Sequence, residues 1–130
     1  IDIFQAEVII LAGYMRILSA DFISKYFGKI LNIHPSLLPK FPGLNTHQRA
    51  IDAFEKKHGA TVHFVTEELD GGPVIAQEFV NIDSTDNAQT LAKKVLDKEH
   101  VLYPKTIHWY TQGRLKLIDK NTATLDKKTL

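Results

Sequence analysis

Apolar and polar residues follow one another along this chain in blocks that predict alternating strands and helices. The run EVIILAGY at residues 7–14 is a continuous apolar stretch that ends at Gly13, which is typical of a strand buried on both faces. Shorter apolar or alternating runs predict further strands over residues 29–34, 60–67, 74–82 and 114–118. Apolar residues at helical spacing predict helices over residues 20–26, 46–57 and 87–112.

Capping residues and helix breakers set the limits of the last two helices. Thr46 is a suitable N-cap for the second helix, and Gly59 is expected to close it. Asp86 and Gln89 resemble a capping box at the start of the third helix. Pro104 is expected to kink or break that helix, because proline lacks the N–H that an interior helical residue donates.

Strands that alternate with helices predict an α/β domain with a mostly parallel sheet flanked by helices. We assign residues 1–118 to this single domain. Residues 119–130 are polar and rich in lysine, so we expect them to form a mobile C-terminal tail. The chain enters its first strand within a few residues of Ile1 without an initiator methionine, and we therefore expect that upstream sequence is absent.

Composition narrows the classes of function more than it narrows the fold. The 130 residues are 44% hydrophobic and 24% charged, which is ordinary for a globular protein with a real core. A net charge of +1 gives no reason to expect nucleic acid or a membrane as partner. The chain has no cysteine, which excludes thiol nucleophiles and zinc–thiolate sites and suits a cytoplasmic protein. Its six histidines lack the spacing of a metal site, so we expect no metal.

Polar residues follow the predicted strands where ligands bind in α/β sheets, beyond the carboxyl ends. Asn32 and His34 lie two residues apart at such an end, so their side chains point the same way if the chain stays extended. Asp70 follows the next strand and could orient the imidazole or stabilise its charged form. An amine could attack a carbonyl here, with Asn32 and His34 stabilising the oxyanion and the Asp70–His34 pair handling protons.

The same three residues also have a purely structural interpretation. Asn and Asp at loop boundaries often only bond local backbone, and a histidine before proline is often a surface residue. We expect His47 to lie near the loop that follows His34, and His63 to support the loop that carries Asp70. We expect His47 and His58 to be solvated on or beside the second helix, although His47 is close enough to the loop after His34 to line a pocket.

Three segments carry a resemblance to a known family: LAGYMRIL at residues 11–18, NIHPSLLPKFPGLNTH at 32–47 and GATVHFVTEELDGGPVIAQ at 59–77. They resemble the phosphoribosylglycinamide formyltransferases, of the folate-dependent formyltransferase superfamily, in the family's order and near its spacing. The likeness covers about residues 7–117. It implies a Rossmann-like formyltransferase fold of which this chain is the C-terminal two-thirds, with the N-terminal strand–helix units and their phosphate-binding loop missing.

The resemblance also implies roles for individual residues. The implied catalytic residues are Asn32, His34 and Asp70. The implied residues around the folate cosubstrate are Met15, Arg16, Ile17, Leu18, Thr66, Glu67, Glu68, Leu69 and Asp70. The implied residues near the ribonucleotide are Pro35, Ser36, Gly43 and Glu99, with His47 and His63 in support.

The activity that the resemblance implies is formyl transfer from 10-formyltetrahydrofolate to the amine of glycinamide ribonucleotide in purine biosynthesis. Two alternatives stay open at this point. One is a formyltetrahydrofolate deformylase, which gives the formyl group to water. The other is an inactive folate-binding fragment, because the phosphate-binding loop has no counterpart here. An open sheet edge would also favour self-association.

Overall fold

A computed structural model of the protein describes residues 9–12 and 19–130. Its strands are β1 (Ile9–Ala12), β2 (Ile30–His34), β3 (Lys57–Phe64), β4 (Val74–Asn81), β5 (Leu115–Asp119), β6 (Thr122–Leu125) and β7 (Lys128–Thr129). Its helices are α1 (Ala20–Lys25), α2 (Thr46–Asp52) and α3 (Ala88–Thr111). The strands form a four-stranded sheet in the order β1-β2-β3-β4 and a small sheet in the order β5-β6-β7.

The larger sheet is mixed rather than mostly parallel. β1 and β2 are parallel, but β2–β3 and β3–β4 are antiparallel, so the predicted mostly parallel sheet is wrong for the described strands. The reason lies in the connections. A parallel return needs a crossover that runs back along the sheet, whereas α2 has only seven residues and is roughly 10 Å long. The chain therefore enters β3 near the end of β2 and runs back beside it.

Alternation along β2 divides its side chains between two faces. Leu31 and Ile33 belong to the main core, which packs against α3. Ile30 belongs to a second cluster with Ile23 of α1 and Tyr26, the C-cap of that helix. Because the side-chain period of a strand is two, Asn32 shares the face of Ile30, opposite the main core. The main core contains the side chains of Ala60, Val62, Phe64, Leu91, Val95 and Leu102.

The second helix is shorter than predicted. α2 ends at Asp52, and Phe54 adopts a left-handed backbone conformation with φ of 56°. The N–H groups of Phe54 and Glu55 bond the carbonyls of Ile51 and Ala50, which is the hydrogen-bond pattern of a Schellman motif. Phe54 thus ends the helix in the role expected of Gly59, and Gly59 lies inside β3.

The third helix begins and continues differently from the prediction. Its capping box is formed by Asn87 and Thr90, one residue beyond the predicted pair of Asp86 and Gln89. The helix continues through Pro104 without a break. No helix formed by the described residues combines the length and the apolar content needed to cross a bilayer.

The C-terminal residues form strands instead of the mobile tail that we expected. β5, β6 and β7 are joined by antiparallel pairing, and β5 crosses the predicted boundary at residue 118. Ala123 is 2% exposed and belongs to the main core, together with Leu115. A few apolar side chains among many polar ones therefore attach these three strands, here called the C-terminal hairpin, to the domain.

We predict that Gly59→Ala lowers the free energy of unfolding by about 3 kcal/mol, at the upper end of what overpacking costs. A Cβ at this position would lie 2.0 Å from the backbone oxygen of Glu78 and 2.9 Å from Cα of Phe79, so β3 and β4 would have to separate. Denaturant unfolding of the intact protein measures the change.

Gly113→Ala is the control for Gly59→Ala. A Cβ there meets nothing within 4 Å, and only the positive φ of 73° opposes the substitution, at a cost of about 1 kcal/mol. Equal or smaller destabilisation by Gly59→Ala would show that the two strands tolerate the added carbon.

Candidate functional site

Asn32 and His34 lie at the end of β2 and are 8% and 5% exposed. β3 runs antiparallel beside them, with Asn32 opposite His63 and His34 opposite Thr61. Directly opposed residues in an antiparallel pair have neighbouring side chains. The pairing of β2 with β3 therefore sets four polar side chains close to one another.

Asp70 reaches the same place from the turn that joins β3 to β4. Its Oδ2 lies 3.5 Å from Nδ1 of His34, and its Oδ1 lies 3.8 Å from Nε2 of His63. The backbone N–H of Gly43 donates to Oδ2 at 2.8 Å. The structure thus brings together the three residues that the sequence pattern singled out.

A close approach of backbone to backbone fixes this turn. A Cβ on Gly72 would lie 1.8 Å from the carbonyl oxygen of Phe64, at the end of β3. Only glycine fits there, because the backbone of the turn lies directly against the end of β3. Asp70, two residues earlier, has φ of 50°, a left-handed conformation that Asp adopts more readily than most residues.

His63 determines how the amide of Asn32 is oriented. Nδ1 of His63 lies 2.9 Å from the carbonyl oxygen of Phe64 and must donate to it, since a carbonyl only accepts. Burial lowers the pKa of His63 despite the opposing effects of the Phe64 carbonyl and Asp70, which favours the neutral ring with Nε2 as an acceptor. Asn32 Nδ2 therefore donates to Nε2 at 3.3 Å. Oδ1 of Asn32 is buried and has no hydrogen-bond partner among the described residues.

Both ring nitrogens of His34 face acceptors. Nε2 lies 2.8 Å from the carbonyl oxygen of Phe41 and donates to it, while Nδ1 faces the carboxylate of Asp70. The doubly protonated ring is the form that donates in both directions. A carboxylate and a backbone carbonyl thus hold the ring from both sides.

The loop between β2 and α2, here called the 35–45 loop, is held from β3 and β4. Thr61 Oγ1 donates to the carbonyl of Ser36 at 2.7 Å and accepts from the N–H of Leu38 at 3.1 Å. Gln77 Nε2 donates to the carbonyl of Leu38 at 2.9 Å. Pro35, predicted near the ribonucleotide, uses its carbonyl to accept from Thr46 Oγ1.

Ser36 and Gly43, also predicted near the ribonucleotide, are engaged within the protein. Ser36 is fully buried, and its hydroxyl donates to the carbonyl of Lys40 at 2.6 Å. Gly43 donates its N–H to Asp70. Neither of these polar groups is open to a ligand in this arrangement.

Sequence reasoning missed a contact between two histidines beside this loop, of which one is buried and one half-buried. His58 is 1% exposed rather than solvated, and its Nε2 lies 3.1 Å from Nδ1 of His47. Burial, with a smaller effect of the charges on His47 and His34, lowers the pKa of His58 to about 4. Burial and the charge on His34 lower the pKa of His47 as well. The alternation of His58 with the core residues Ala60 and Val62 was the signal that could have revealed its burial.

The residues predicted around the folate cosubstrate are only partly described. Met15, Arg16, Ile17 and Leu18 lie outside the described residues. Thr66 is buried, whereas Glu67, Glu68 and Leu69 are exposed. A cavity of about 720 Å³ is lined by Thr66, Glu67 and Glu68, by Ile23, Ser24 and Phe27 near α1, and by Lys120 and Asn121 of the C-terminal hairpin.

Glu99 lies on α3. It is half-buried, and burial raises the pKa of its carboxyl against a smaller opposing effect of His100. Within residues 9–12 and 19–130, no group of three or more acidic or histidine side chains is arranged to hold a metal ion.

Comparison with known proteins identifies similar chains. Residues 1–107 match the formyl transferase family. The chain is 50% identical over 130 residues to phosphoribosylglycinamide formyltransferase of Escherichia coli K12, covering all of this chain and 61% of that protein. A solved phosphoribosylglycinamide formyltransferase from Coxiella burnetii is 47% identical with a TM-score of 0.89, covering 95% of this chain and 58% of the other.

A formyltetrahydrofolate deformylase from Pseudomonas syringae is also similar, at 33% identity and a TM-score of 0.86 over 93% of this chain and 40% of that one. The structural similarities confirm the predicted Rossmann-like α/β formyltransferase fold. The chain spans about three-fifths of the length of the E. coli and Coxiella proteins, at 61% and 58%.

We predict that Gly72→Ala lowers the free energy of unfolding by about 2 kcal/mol, as expected for a buried steric conflict. The added carbon meets the Phe64 carbonyl, so the turn must move away from β3 and carry Asp70 with it. Faster hydrogen exchange of the Gly43 N–H, which donates to Asp70, would report the displacement.

The neighbouring Gly71→Ala is a matched control. The three atoms nearest to its Cβ would all belong to the side chain of Glu68, which is exposed and can rotate away. We expect a change below about 0.5 kcal/mol and normal exchange at Gly43. Similar effects of the two substitutions would contradict the contact assigned to Gly72.

We predict that His58 makes the protein less stable as the pH falls from about 6.5 to about 4. The folded pKa of about 4 lies below the unfolded value of 6.5, so the unfolded chain binds the proton first and stability declines across this interval. The loss of unfolding free energy due to His58 reaches at most about 3 kcal/mol and does not increase further below pH 4.

Unfolding free energies measured between pH 4 and pH 7 test this dependence. His58→Gln removes the titrating group, and we expect a flatter pH profile than in the unsubstituted protein. His108→Gln removes an exposed histidine from α3 and should leave the profile unchanged. If the unfolding free energy of His58→Gln depends on pH as it does in the unsubstituted protein, His58 is not the group responsible for the decline.

Proposed function

The chain belongs to the formyl transferase family, and we propose that the intact protein is a cytoplasmic phosphoribosylglycinamide formyltransferase. In this proposal it transfers a formyl group from 10-formyltetrahydrofolate to the amine of glycinamide ribonucleotide, a step of purine biosynthesis. The observation that carries the proposal is the buried cluster of Asn32, His34 and Asp70 at the end of β2. The 50% identity to the E. coli enzyme favours this activity for that cluster.

The proposed reaction moves one formyl carbon and one proton. The carbon leaves a folate nitrogen and bonds to the amine nitrogen, so the amine loses a proton and the folate nitrogen gains one. In this proposal His34 carries that proton, with its Nδ1 3.5 Å from the carboxylate of Asp70. The Phe41 carbonyl holds the ring from its other side.

Asn32 has two groups left for the reacting atoms. One N–H of its amide is used by His63, which leaves the second N–H and the unpartnered Oδ1. The N–H can donate to the formyl oxygen, where negative charge develops, and Oδ1 can accept from the attacking amine. An unpartnered buried acceptor costs free energy in the absence of a ligand, which supports a role in binding.

We propose that the folate lies against the loop from Thr66 to Asp70, next to the cavity of about 720 Å³. Met15 to Leu18 would complete its pocket. Because the Ser36 hydroxyl is bonded within the loop, contacts of this region with the ribonucleotide would come from backbone groups. Glu99 would contact the ribonucleotide from α3, and the raised pKa of its carboxyl favours a hydrogen-bonding role.

We predict that His34→Ala and Asp70→Asn each lower kcat for formyl transfer by about 10²-fold or more. Each substitution removes part of the acid–base pair, and losses of this size are expected when such catalysis is removed. The measurement is steady-state turnover of 10-formyltetrahydrofolate with glycinamide ribonucleotide, using the intact protein. His108→Ala, on the exposed side of α3, serves as the control and should turn over normally.

The same assay separates the proposed function from its alternatives. Release of tetrahydrofolate that requires the ribonucleotide supports transfer, whereas release without it would indicate a deformylase. Folate binding without any turnover would indicate a binding protein. Near-normal turnover in His34→Ala would contradict the catalytic assignment.

A further inference from the structure

Residues 41–44 of the 35–45 loop lie directly against His34 and Asp70. The carbonyl of Phe41 accepts from Nε2 of His34 at 2.8 Å, and the N–H of Gly43 donates to Oδ2 of Asp70 at 2.8 Å. One short piece of backbone therefore fixes both members of the His34–Asp70 pair. Any movement of this segment changes the hydrogen bonds of both.

Arg49, one turn into α2, holds the outer side of the same segment. Its Nη1 donates to the carbonyl of Pro42 at 2.6 Å and to the carbonyl of Leu44 at 3.0 Å. Its guanidinium carbon lies 5.4 Å from the centre of the Phe41 ring. Backbone groups thus alternate along the segment, with residues 41 and 43 bonded inward to the site and residues 42 and 44 bonded outward to Arg49.

The segment needs such an outer contact because its backbone is strained. Phe41 has φ of 54°, in the left-handed region that costs a bulky residue roughly 1–2 kcal/mol, and Asn45, directly after the segment, has φ of 57°. Hydrogen bonds from a charged guanidinium are stronger than neutral ones and offset this cost. Helix α2 fixes where the guanidinium lies, and that position in turn fixes the segment.

We propose that Arg49 is a positioning residue for the His34–Asp70 pair. It acts through the Phe41 carbonyl and the Gly43 amide and contacts neither His34 nor Asp70 itself. Its effect on catalysis rests on the proposed function, whereas its effect on the hydrogen bonds of His34 does not. Two separate measurements can therefore test the two parts.

The first variants are Arg49→Met and Arg49→Lys in the intact protein. Arg49→Met removes both outer hydrogen bonds, and we expect kcat for formyl transfer to fall about tenfold. Proton NMR should also show that the Nε2–H signal of His34, assigned by its loss in His34→Ala, broadens through faster exchange with water. Arg49→Lys keeps the charge but lacks the planar guanidinium that directs both N–H groups of Nη1 at the Pro42 and Leu44 carbonyls, and we expect it to restore the signal and kcat only in part.

Lys40→Met is the matched control. Lys40 is a basic residue of the same loop, but among the described residues its ammonium bonds Glu55 alone, at 3.1 Å on the protein surface. We expect wild-type kcat and an unchanged His34 signal. A fall in kcat and a broadened signal in Arg49→Met, with neither in Lys40→Met, supports the proposal.

The opposite results are equally distinct. Arg49→Met with a normal His34 signal and normal kcat overturns the proposal, whether or not its melting temperature falls. If Arg49→Met does not fold, a normal signal and normal kcat in Arg49→Lys overturn it instead. If no variant or parent catalyses formyl transfer but the His34 signal still depends on Arg49, the proposed function fails and the positioning role stands.

Discussion

The antiparallel pairing of β2 with β3 is the constraint on which the site depends. It opposes Asn32 to His63 and His34 to Thr61, on the face of the sheet that lies away from the main core. From that register follow the hydrogen bond that orients the Asn32 amide and the contact by which Thr61 holds the 35–45 loop. A shift by one residue would turn these side chains into the core.

The sequence revealed the parts of the site that are close together in the chain or that end a strand. Asn32 and His34 are visible because strand alternation is a local property. Asp70 was singled out by a rule for parallel strands, although β3 is antiparallel to β2 and ends beside Leu31. The turn after β3 is what brings Asp70 back to His34. His58 and Arg49 were not recognised. Their roles depend on contacts with a loop whose path is set by three left-handed backbone positions, and no local pattern predicts that path.

The fold was predictable in its elements but not in how they are joined. Strands and helices lie close to the predicted segments, because apolar periodicity reports local burial. The direction of β3 depends on whether α2 is long enough to run back along the sheet. The length of α2 is limited by Phe54, whose left-handed backbone ends the helix. The C-terminal hairpin was missed because few apolar side chains, such as Ala123, attach a largely polar segment to the core.

The backbone of Asp70 decides which carboxylate this position accepts. Asp and Glu carry the same charge, but the left-handed conformation at φ of 50° is adopted several-fold more readily by Asp and Asn than by most residues. Glutamate would face this backbone preference and would also extend its carboxylate one carbon further into a space that His34, His63 and the Gly43 amide already enclose. Chain geometry, rather than acidity, thus selects the shorter acid at this turn.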